Sequence, residues 1–242
     1  MSKTLITGGT GMLGKELKKL FIKSTILNGR LELDLSNLEL VEAFLIKNSF
    51  DTIIHTAAYT NMEYNEENPT KALDLHCNIL EIFNKYSKKL IYISAQGKDY
   101  KNTYHQTKLR GELVALKKPN NLIIRTNLYG DGGLVKWAIK ELTNGKIING
   151  YNNCVFNPVS TEQLSYIIHK KINYFSGIVN IGSNTLISKY DFLKIIALKF
   201  NINPELIHPL KTDNYLDLTV PVEEKSCQFS LLDGIISLKV NI

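Results

Sequence analysis

Cysteine is scarce in this chain of 242 residues: Cys77, Cys154 and Cys227 are the three, far apart and in no CxxC pair. An odd, dispersed set argues against a disulfide framework and a cysteine-built metal site, and all three read as reduced thiols. No apolar run approaches the ~20 residues that a membrane helix needs. The chain opens directly into "KTLIT" with no signal-peptide pattern, so a cytoplasmic location is the expectation. His55, His76, His105, His169 and His208 form no HxxH or HExxH, and no metal is expected. Clustered charge is missing too. Lys and Arg total 29 against 23 Asp and Glu, a net +6. The basic residues nevertheless occur only as short pairs, such as Lys18-Lys19, Lys88-Lys89, Lys117-Lys118 and Lys170-Lys171. A nucleic-acid binder concentrates them in a stripe; here they read as solvated helix faces. The positive balance points weakly to an anionic small ligand. Internal repeats, low-complexity tracts and Gly/Ser linkers are absent.

What is present is an ordinary globular composition, 44% hydrophobic, 9% aromatic and 21% charged, with length enough for a well-buried core. The first half alternates strand and helix signals. Strands are expected at 3–7, 25–27, 52–58, 90–94 and 121–126. Helices are expected at 12–23, 37–48, 69–89 (one long helix with Pro69 in its first turn) and 103–117. Repeated βα units predict an α/β fold: a doubly wound parallel sheet, Rossmann-type, covered by helices. The second half is less regular, with helices at 134–145, 161–172 and 188–200, the last capped by Ser188, and a strand at 177–182. The expected organisation is a dinucleotide-binding core over 1–130. Residues 131–242 then form mainly a small substrate-binding lobe, with some segments returning to the core.

The stretch "LITGGTGMLGKEL" (5–17) runs a strand through a glycine cluster into a helix. A turn after a strand favours a residue free to adopt positive φ. A backbone that meets a pyrophosphate has no room for a side chain, and the helix must pack closely on the strand it follows. Gly8, Gly11 and Gly14 fit those needs, and the helix N-terminus offers free N–H groups to phosphate. Dinucleotide binding is the expectation. At the end of the second strand, "LNGR" (27–30) contains no carboxylate and offers Arg30, whose planar fork suits a 2′-phosphate. NADP is therefore preferred over NAD, with Asn28 serving the ribose in the NAD alternative.

The GxxGxxG spacing within "TGGTGMLG" resembles the extended short-chain dehydrogenase/reductase family. The resemblance continues in order over roughly the first 130 residues. "LDLSN" (33–37) resembles its acidic adenine-contacting segment, with Asp34 as the carboxylate. "HTAAYTNME" (55–63) resembles its NxAAYT stretch, with His55 where Asn is usual. Asn78 matches an asparagine of the following helix, "YHQTK" (104–108) matches YxxxK, and "RTNLYG" (125–130) resembles RxxxxYG. Within the family the similarity is greatest to reductases of nucleotide-linked 4-keto-6-deoxy sugars, the dTDP-4-dehydrorhamnose reductase type. "TNLYG" is also similar to GDP-fucose synthase, and later segments agree more loosely. The resemblance implies a cofactor site at Gly8, Thr10, Gly11, Met12, Leu13, Arg30, Asp34, Leu35, Ala57, Ala58, Tyr59 and Lys108.

YxxxK places Tyr104 and Lys108 on one helix face. A free tyrosine titrates near ~10, and a nearby ammonium is expected to lower that value. Tyr104 is then the proton donor to a substrate carbonyl. The family's third catalytic group, Ser or Thr, falls on Ala95, with Ser94 one residue earlier and Thr103 as another hydroxyl. Neighbouring strand residues face opposite sides, so Ser94 stands as the catalytic candidate beside the alternative that it points away. The loop between Ser94 and Tyr104 is shorter than the family's. Substrate candidates are Asn127, Tyr129, Trp137 and Asn157; Tyr129 and Trp137 are either stacking platforms or core. The expected function is an NADP-dependent reductase of a nucleotide-linked 4-keto-6-deoxy sugar in deoxysugar or polysaccharide synthesis. An epimerase or dehydratase with bound NAD, or a non-catalytic regulatory subunit, is the alternative. The expected partner is a nucleotide-sugar substrate, with a homodimer through the helices at 69–89 and 104–117 or a monomer.

Overall fold

The short runs "TLIT" and "TIIH" have no polar alternation, because they are covered on both faces. Leu5, Ile6, Ile53, Ile54, Leu90, Ile91, Ile123 and Ile124 are all essentially inaccessible to solvent, as a parallel sheet between helix layers requires. In the computed structural model, which describes residues 3–96, 102–223 and 227–240, these runs are strands. The elements in order are β1 (Thr4–Thr7), α1 (Met12–Leu20), β2 (Thr25–Leu27), α2 (Leu38–Lys47), β3 (Thr52–His55), α3 (Met62–Glu67), α4 (Pro69–Leu73), α5 (Ile79–Tyr86), β4 (Lys89–Ala95), α6 (Thr103–Ala115) and β5 (Leu122–Thr126). β1 pairs in parallel with β2 and β3, placing Ile6 opposite Ile26 and Ile54, and β3 pairs in parallel with β4. Among the described residues the main sheet has seven strands. Beyond β5 it continues with Gly177–Ser183 and then Gln228–Phe229, while β4, β3, β1 and β2 follow on the other side. The sheet is mostly parallel and flanked by helices, a Rossmann-type doubly wound arrangement. On one face Val41 and Leu45 of α2 and Leu80 and Phe83 of α5 close over Leu5, Ile53 and Leu90.

The described residues group into two units. One takes in residues 3–95, 102–125 and 165–179, the other residues 96, 126–164, 180–223 and 227–240. In the second unit, Phe192 lies edge-on to Tyr129 and Phe156 at ring separations of 5.2 and 5.3 Å. Its helix Lys189–Lys199 starts where expected, with Ser188 accepting from Asp191 N at 3.0 Å. The helices Met62–Glu67 and Leu231–Ser237 were not anticipated; both are short and carry little periodic signal.

The helix expected over 69–89 differs most. It breaks into α4 and α5 around one π-helical turn, Asp74–Asn78, and the chain is already in strand by Lys89. Widening the turn frees carbonyls from the helical ladder, and side chains take them up. His55 Nε2 donates to Leu75 O at 2.9 Å, and the Tyr92 hydroxyl donates to His76 O at 2.8 Å. Helix α6 comes close against this turn at Gly111, where a Cβ would lie 2.1 Å from His76 O and 2.7 Å from Tyr92 Oη.

Gly111→Ala therefore requires backbone to move and is expected to cost about 1–3 kcal/mol of stability. Urea unfolding checks this against Leu40→Ala on the exposed side of α2, 52% exposed, expected within about 0.5 kcal/mol of the parent. Equal midpoints for the two variants would contradict the close approach.

Candidate active site

The turn after β1 is set by its glycines. Gly8 has φ of 74° and its carbonyl accepts from Gly11 N at 2.9 Å. A Cβ there would come within 2.7 Å of Ala57 N, so the glycine turn and the segment after β3 abut. A Cβ at Gly14 would sit 2.1 Å from Gly8 O, which is why α1 packs so tightly behind the turn. Gly11 is different: a Cβ there meets only Gly8 O, at 3.2 Å, and otherwise open space. Gly11 is also the cap of α1, with no side-chain hydrogen bond, and the first turn has no acidic residue. Unfilled N–H groups, the positive end of the helix dipole and an open approach fit a phosphate. Thr10 is exposed there, Met12 half-buried and Leu13 buried.

The rim beyond β2 holds a residue missed in the sequence. "LNGR" ends at Arg30, but the carboxylate of Glu32, two residues on, folds back to accept from Asn28 N at 2.7 Å and Asn28 Nδ2 at 3.0 Å. Arg30 donates to the Tyr59 hydroxyl and lies over the Tyr59 ring at 5.3 Å. Asp34 accepts from Ser36 N at 2.9 Å and Ser36 Oγ at 2.7 Å. Those hydrogen bonds, aided by the Arg30 charge, hold its carboxyl below the usual carboxylate range. Leu35 is buried beneath, while Ala57, Ala58 and Tyr59 are half-buried after β3. Asn78, matched by resemblance, spends its amide on Asp74 Oδ1 at 2.7 Å within the π turn.

Helix α6 carries Tyr104, Lys108 and Glu112 at four-residue intervals on one face. Asn102 caps it, accepting from His105 N at 2.9 Å, and Glu66 accepts from both Thr103 N and Thr103 Oγ1, at 2.7 and 2.6 Å. Thr103 is therefore engaged away from the tyrosine. Lys108 is buried; its Nζ donates to Ile93 O at 2.5 Å and lies 4.2 Å from the Tyr92 ring centroid. Desolvation pulls Lys108 down to about 7, against the Glu112 carboxylate, which raises it. The expectation that the ammonium would lower the phenol is corrected here. Burial raises Tyr104 to about 12, and no hydrogen bond joins it to Lys108 among the described residues.

Ser94 is buried, and its hydroxyl donates to Glu112 Oε1 at 2.5 Å. The same carboxylate accepts from Arg125 through Nη2 at 2.6 Å and Nε at 3.0 Å. Arg125 is the arginine of the "RTNLYG" resemblance; nothing in the sequence singles out Glu112, Glu66 or Glu32. Part of the shortened loop, residues 97–101, lies outside the described residues.

The four substrate candidates all lie in the second unit. Tyr129 is core, 3% exposed, with its hydroxyl donating to Leu231 O at 3.3 Å. Asn157 is buried and clamps Val220, accepting from its N at 2.8 Å and donating to its O at 2.9 Å. Asn127 donates to Leu218 O at 2.7 Å. Trp137 is 45% exposed and lines a cavity of about 500 Å³ with Leu134, Tyr151 and Lys189.

Comparison with protein families matches residues 2–221 to the RmlD substrate binding domain. The chain belongs to that family. Among curated relatives of this RmlD-family chain is a dTDP-4-dehydrorhamnose reductase of Aggregatibacter actinomycetemcomitans. It is 26% identical over 89% of this chain and 86% of the relative. Another is the spore coat polysaccharide biosynthesis protein SpsK of Bacillus subtilis (strain 168), 24% identical over 89% and 85%. Among solved structures, a dTDP-4-dehydrorhamnose reductase from Clostridium acetobutylicum superposes with a TM-score of 0.84 at 22% identity, over 98% of both chains. The Bacillus anthracis dTDP-4-dehydrorhamnose reductase in complex with NADP gives 0.81 at 22%, over 98% of this chain and 97% of that one. At such identities the superpositions establish the fold of the RmlD-family chain. No helix among its described residues is long and apolar enough to cross a membrane.

Two buried histidines brace the site and are held neutral. His55 takes a hydrogen bond between Nδ1 and Thr7 Oγ1 at 2.8 Å, and burial lowers it to about 3; His76 is lowered to about 2, by burial and then by Lys108. Their folded values lie below the unfolded ~6.5, so the unfolded chain binds more protons between those limits, and stability rises with pH there. The stabilisation is complete above about 6.5 and is lost as pH falls toward 3. The expected slope is about 1.4 kcal/mol per pH unit for each histidine. Urea unfolding between pH 7 and pH 5 measures it; a flat profile would mean that one or both rings are not buried neutral.

Proposed function

We propose that this chain uses NADPH to reduce the 4-keto group of a nucleotide-linked 6-deoxy sugar, as a reductase of the dTDP-4-dehydrorhamnose type in deoxysugar or polysaccharide synthesis. The observation that carries this is the pairing of Tyr104 and Lys108 on one face of α6, in a chain of this family with an open glycine turn after β1. The residues that would hold the dinucleotide are the α1 N-terminus with Gly8, Thr10, Gly11 and Met12 for the pyrophosphate, Arg30 for a 2′-phosphate, and Asp34 with Ala57, Ala58 and Tyr59 for the adenosine side.

Bound NADPH would supply the hydride to the sugar's carbonyl carbon. The proton is the protein's part. A tyrosine raised to about 12 is fully protonated at neutral pH, so Tyr104 holds a proton at Oη for the carbonyl oxygen as it gains charge. Lys108, lowered to about 7, is poised to return one. Ser94 is left out of this scheme, since its only hydroxyl proton is engaged with Glu112. That engagement, with Ala95 at the family's Ser/Thr position and the shortened loop, stands on the side of a binding-only role. Pairing of two copies across α5 and α6 belongs to the same proposal; Leu113 and Leu116 are 63% and 40% exposed there.

Oxidation of NADPH by the full chain with a panel of 4-keto-6-deoxy sugar nucleotides tests the reading. Tyr104→Phe is expected to lose at least 100-fold in kcat, on the order of a general acid's contribution, with NADPH binding retained. Turnover unaffected by that change would remove Tyr104 as the acid. Arg30→Ala is expected to weaken NADPH more than NADH; equal losses would assign the 2′ end elsewhere, with Glu32 the residue to examine.

A further inference from the structure

His76 belongs to none of the motifs above, yet it touches three parts of the site. It is completely buried, in the π turn between α4 and α5. Its Nε2 accepts from Tyr59 N at 3.0 Å. Because a backbone N–H only donates, Nε2 carries no hydrogen, and a neutral ring carries its hydrogen on Nδ1. Nδ1 therefore donates to Thr107 Oγ1, 2.9 Å away. Thr107 directs its own hydrogen back into the first turn of α6, to Thr103 O at 2.8 Å or Tyr104 O at 3.0 Å. The imidazole also lies edge-on to the Tyr104 ring, with centroids 5.6 Å apart at 89°. Its own carbonyl accepts from Tyr92, the ring beneath Lys108.

We propose that His76 is a positioning residue. Its ring ties the segment after β3, ending at the Tyr59 that Arg30 grips, to the helix that presents Tyr104. A single side chain thereby sets the spacing between the adenosine side and the proton donor. An ordinary α-turn would direct residue 76 differently, so the π turn is the local device that aims the ring. The neutrality of the imidazole follows from its surroundings: burial acts first against protonation, the Lys108 charge and the His55 ring add to it, and Tyr59 N would have no acceptor on an imidazolium. The proposal rests on the reductase reading for its kinetic half only, since the link to Tyr59 acts on cofactor binding whatever the reaction.

The two ring nitrogens can be removed separately. Asparagine places its amide near the Nδ1 position and glutamine near the Nε2 position, so His76→Asn keeps a donor to Thr107 and loses the acceptor for Tyr59. His76→Gln does the reverse. In the full chain, His76→Asn is expected to weaken NADPH binding, read from nicotinamide fluorescence, by about fivefold and to lower kcat by less. His76→Gln should lower kcat by about fivefold and weaken NADPH by less, each the size of one lost neutral hydrogen bond. His76→Phe, which retains a ring and neither bond, should show both losses. Equal effects of the Asn and Gln variants on both quantities would overturn the proposal, since a merely structural role moves them together. So would wild-type values in His76→Phe. If the parent chain shows no turnover, or Tyr104→Phe turns over like the parent, the reductase reading has failed instead. NADPH affinity alone then decides the Tyr59 half: Asn weaker than Gln supports it, and equality ends it.

Discussion

The contact on which this site depends is the hydrogen bond from the Tyr92 hydroxyl to His76 O, at 2.8 Å, under a helix that can come close because residue 111 has no Cβ. It fixes three things together. The π turn keeps its carbonyl satisfied in a dry interior, where an orphaned acceptor is costly. The Tyr92 ring is held flat enough beneath α6 to receive Lys108 Nζ at 4.2 Å. The His76 ring, turned outward by the same widened turn, reaches Thr107 and the edge of Tyr104. With ordinary α geometry at residues 74–78 the carbonyls of 75 and 76 would return to the helix ladder, and His55 and Tyr92 would both lose their acceptors.

Burial also sets the electrostatics. Removing water from Lys108 and Tyr104 disfavours the charged form of each, which moves the lysine down and the phenol up. The pair therefore rests closer to neutrality than exposed side chains would. Glu112 is the counterweight. It is buried one turn beyond Lys108, and it is paired with the bidentate Arg125 and accepts from the Ser94 hydroxyl. Its charge opposes the desolvation of Lys108. Breaking such a buried pair by removing one partner leaves a charge uncompensated, so the Ser94 hydroxyl does more for the lysine by holding Glu112 than its place in the strand suggests.

Much of this was legible in the sequence. The βα alternation, the glycine turn, the YxxxK face and the Ser188 cap each depend on residues within a few positions of one another, and each sits where the local pattern places it. What was hidden depends on partners far away in the chain. A π turn leaves no periodic trace in "DLHCN" because its cause is Tyr92 and His55, 16 and 20 residues from the carbonyls they satisfy. The partner of the Ser94 hydroxyl, Glu112, lies 18 residues on. The carbonyls that Tyr129 and Asn157 donate to, those of Leu231 and Val220, lie 102 and 63 residues away. Glu32 was missed for a smaller reason: the turn at 29–32 folds the chain back, so the carboxylate at the β2 rim comes from beyond the strand's end.

The glycines separate what the fold needs from what a ligand needs. Gly14 and Gly111 are explained inside the chain, since a Cβ on either would press into backbone at 2.1 Å. Gly8 is explained by its positive φ and by Ala57. Gly11 has no such reason. Its φ of −69° is open to any residue, and a Cβ would find only one atom within contact range. A side chain there would cost the folded chain little and would improve the capping of α1, because Ser or Asp at a cap stabilises a helix more than Gly does. The chain instead leaves that position bare at the positive end of a helix with no acid in its first turn. Of the glycines at this turn, Gly11 is thus the one whose bareness the chain's own packing does not explain, and it lies where the helix dipole is positive.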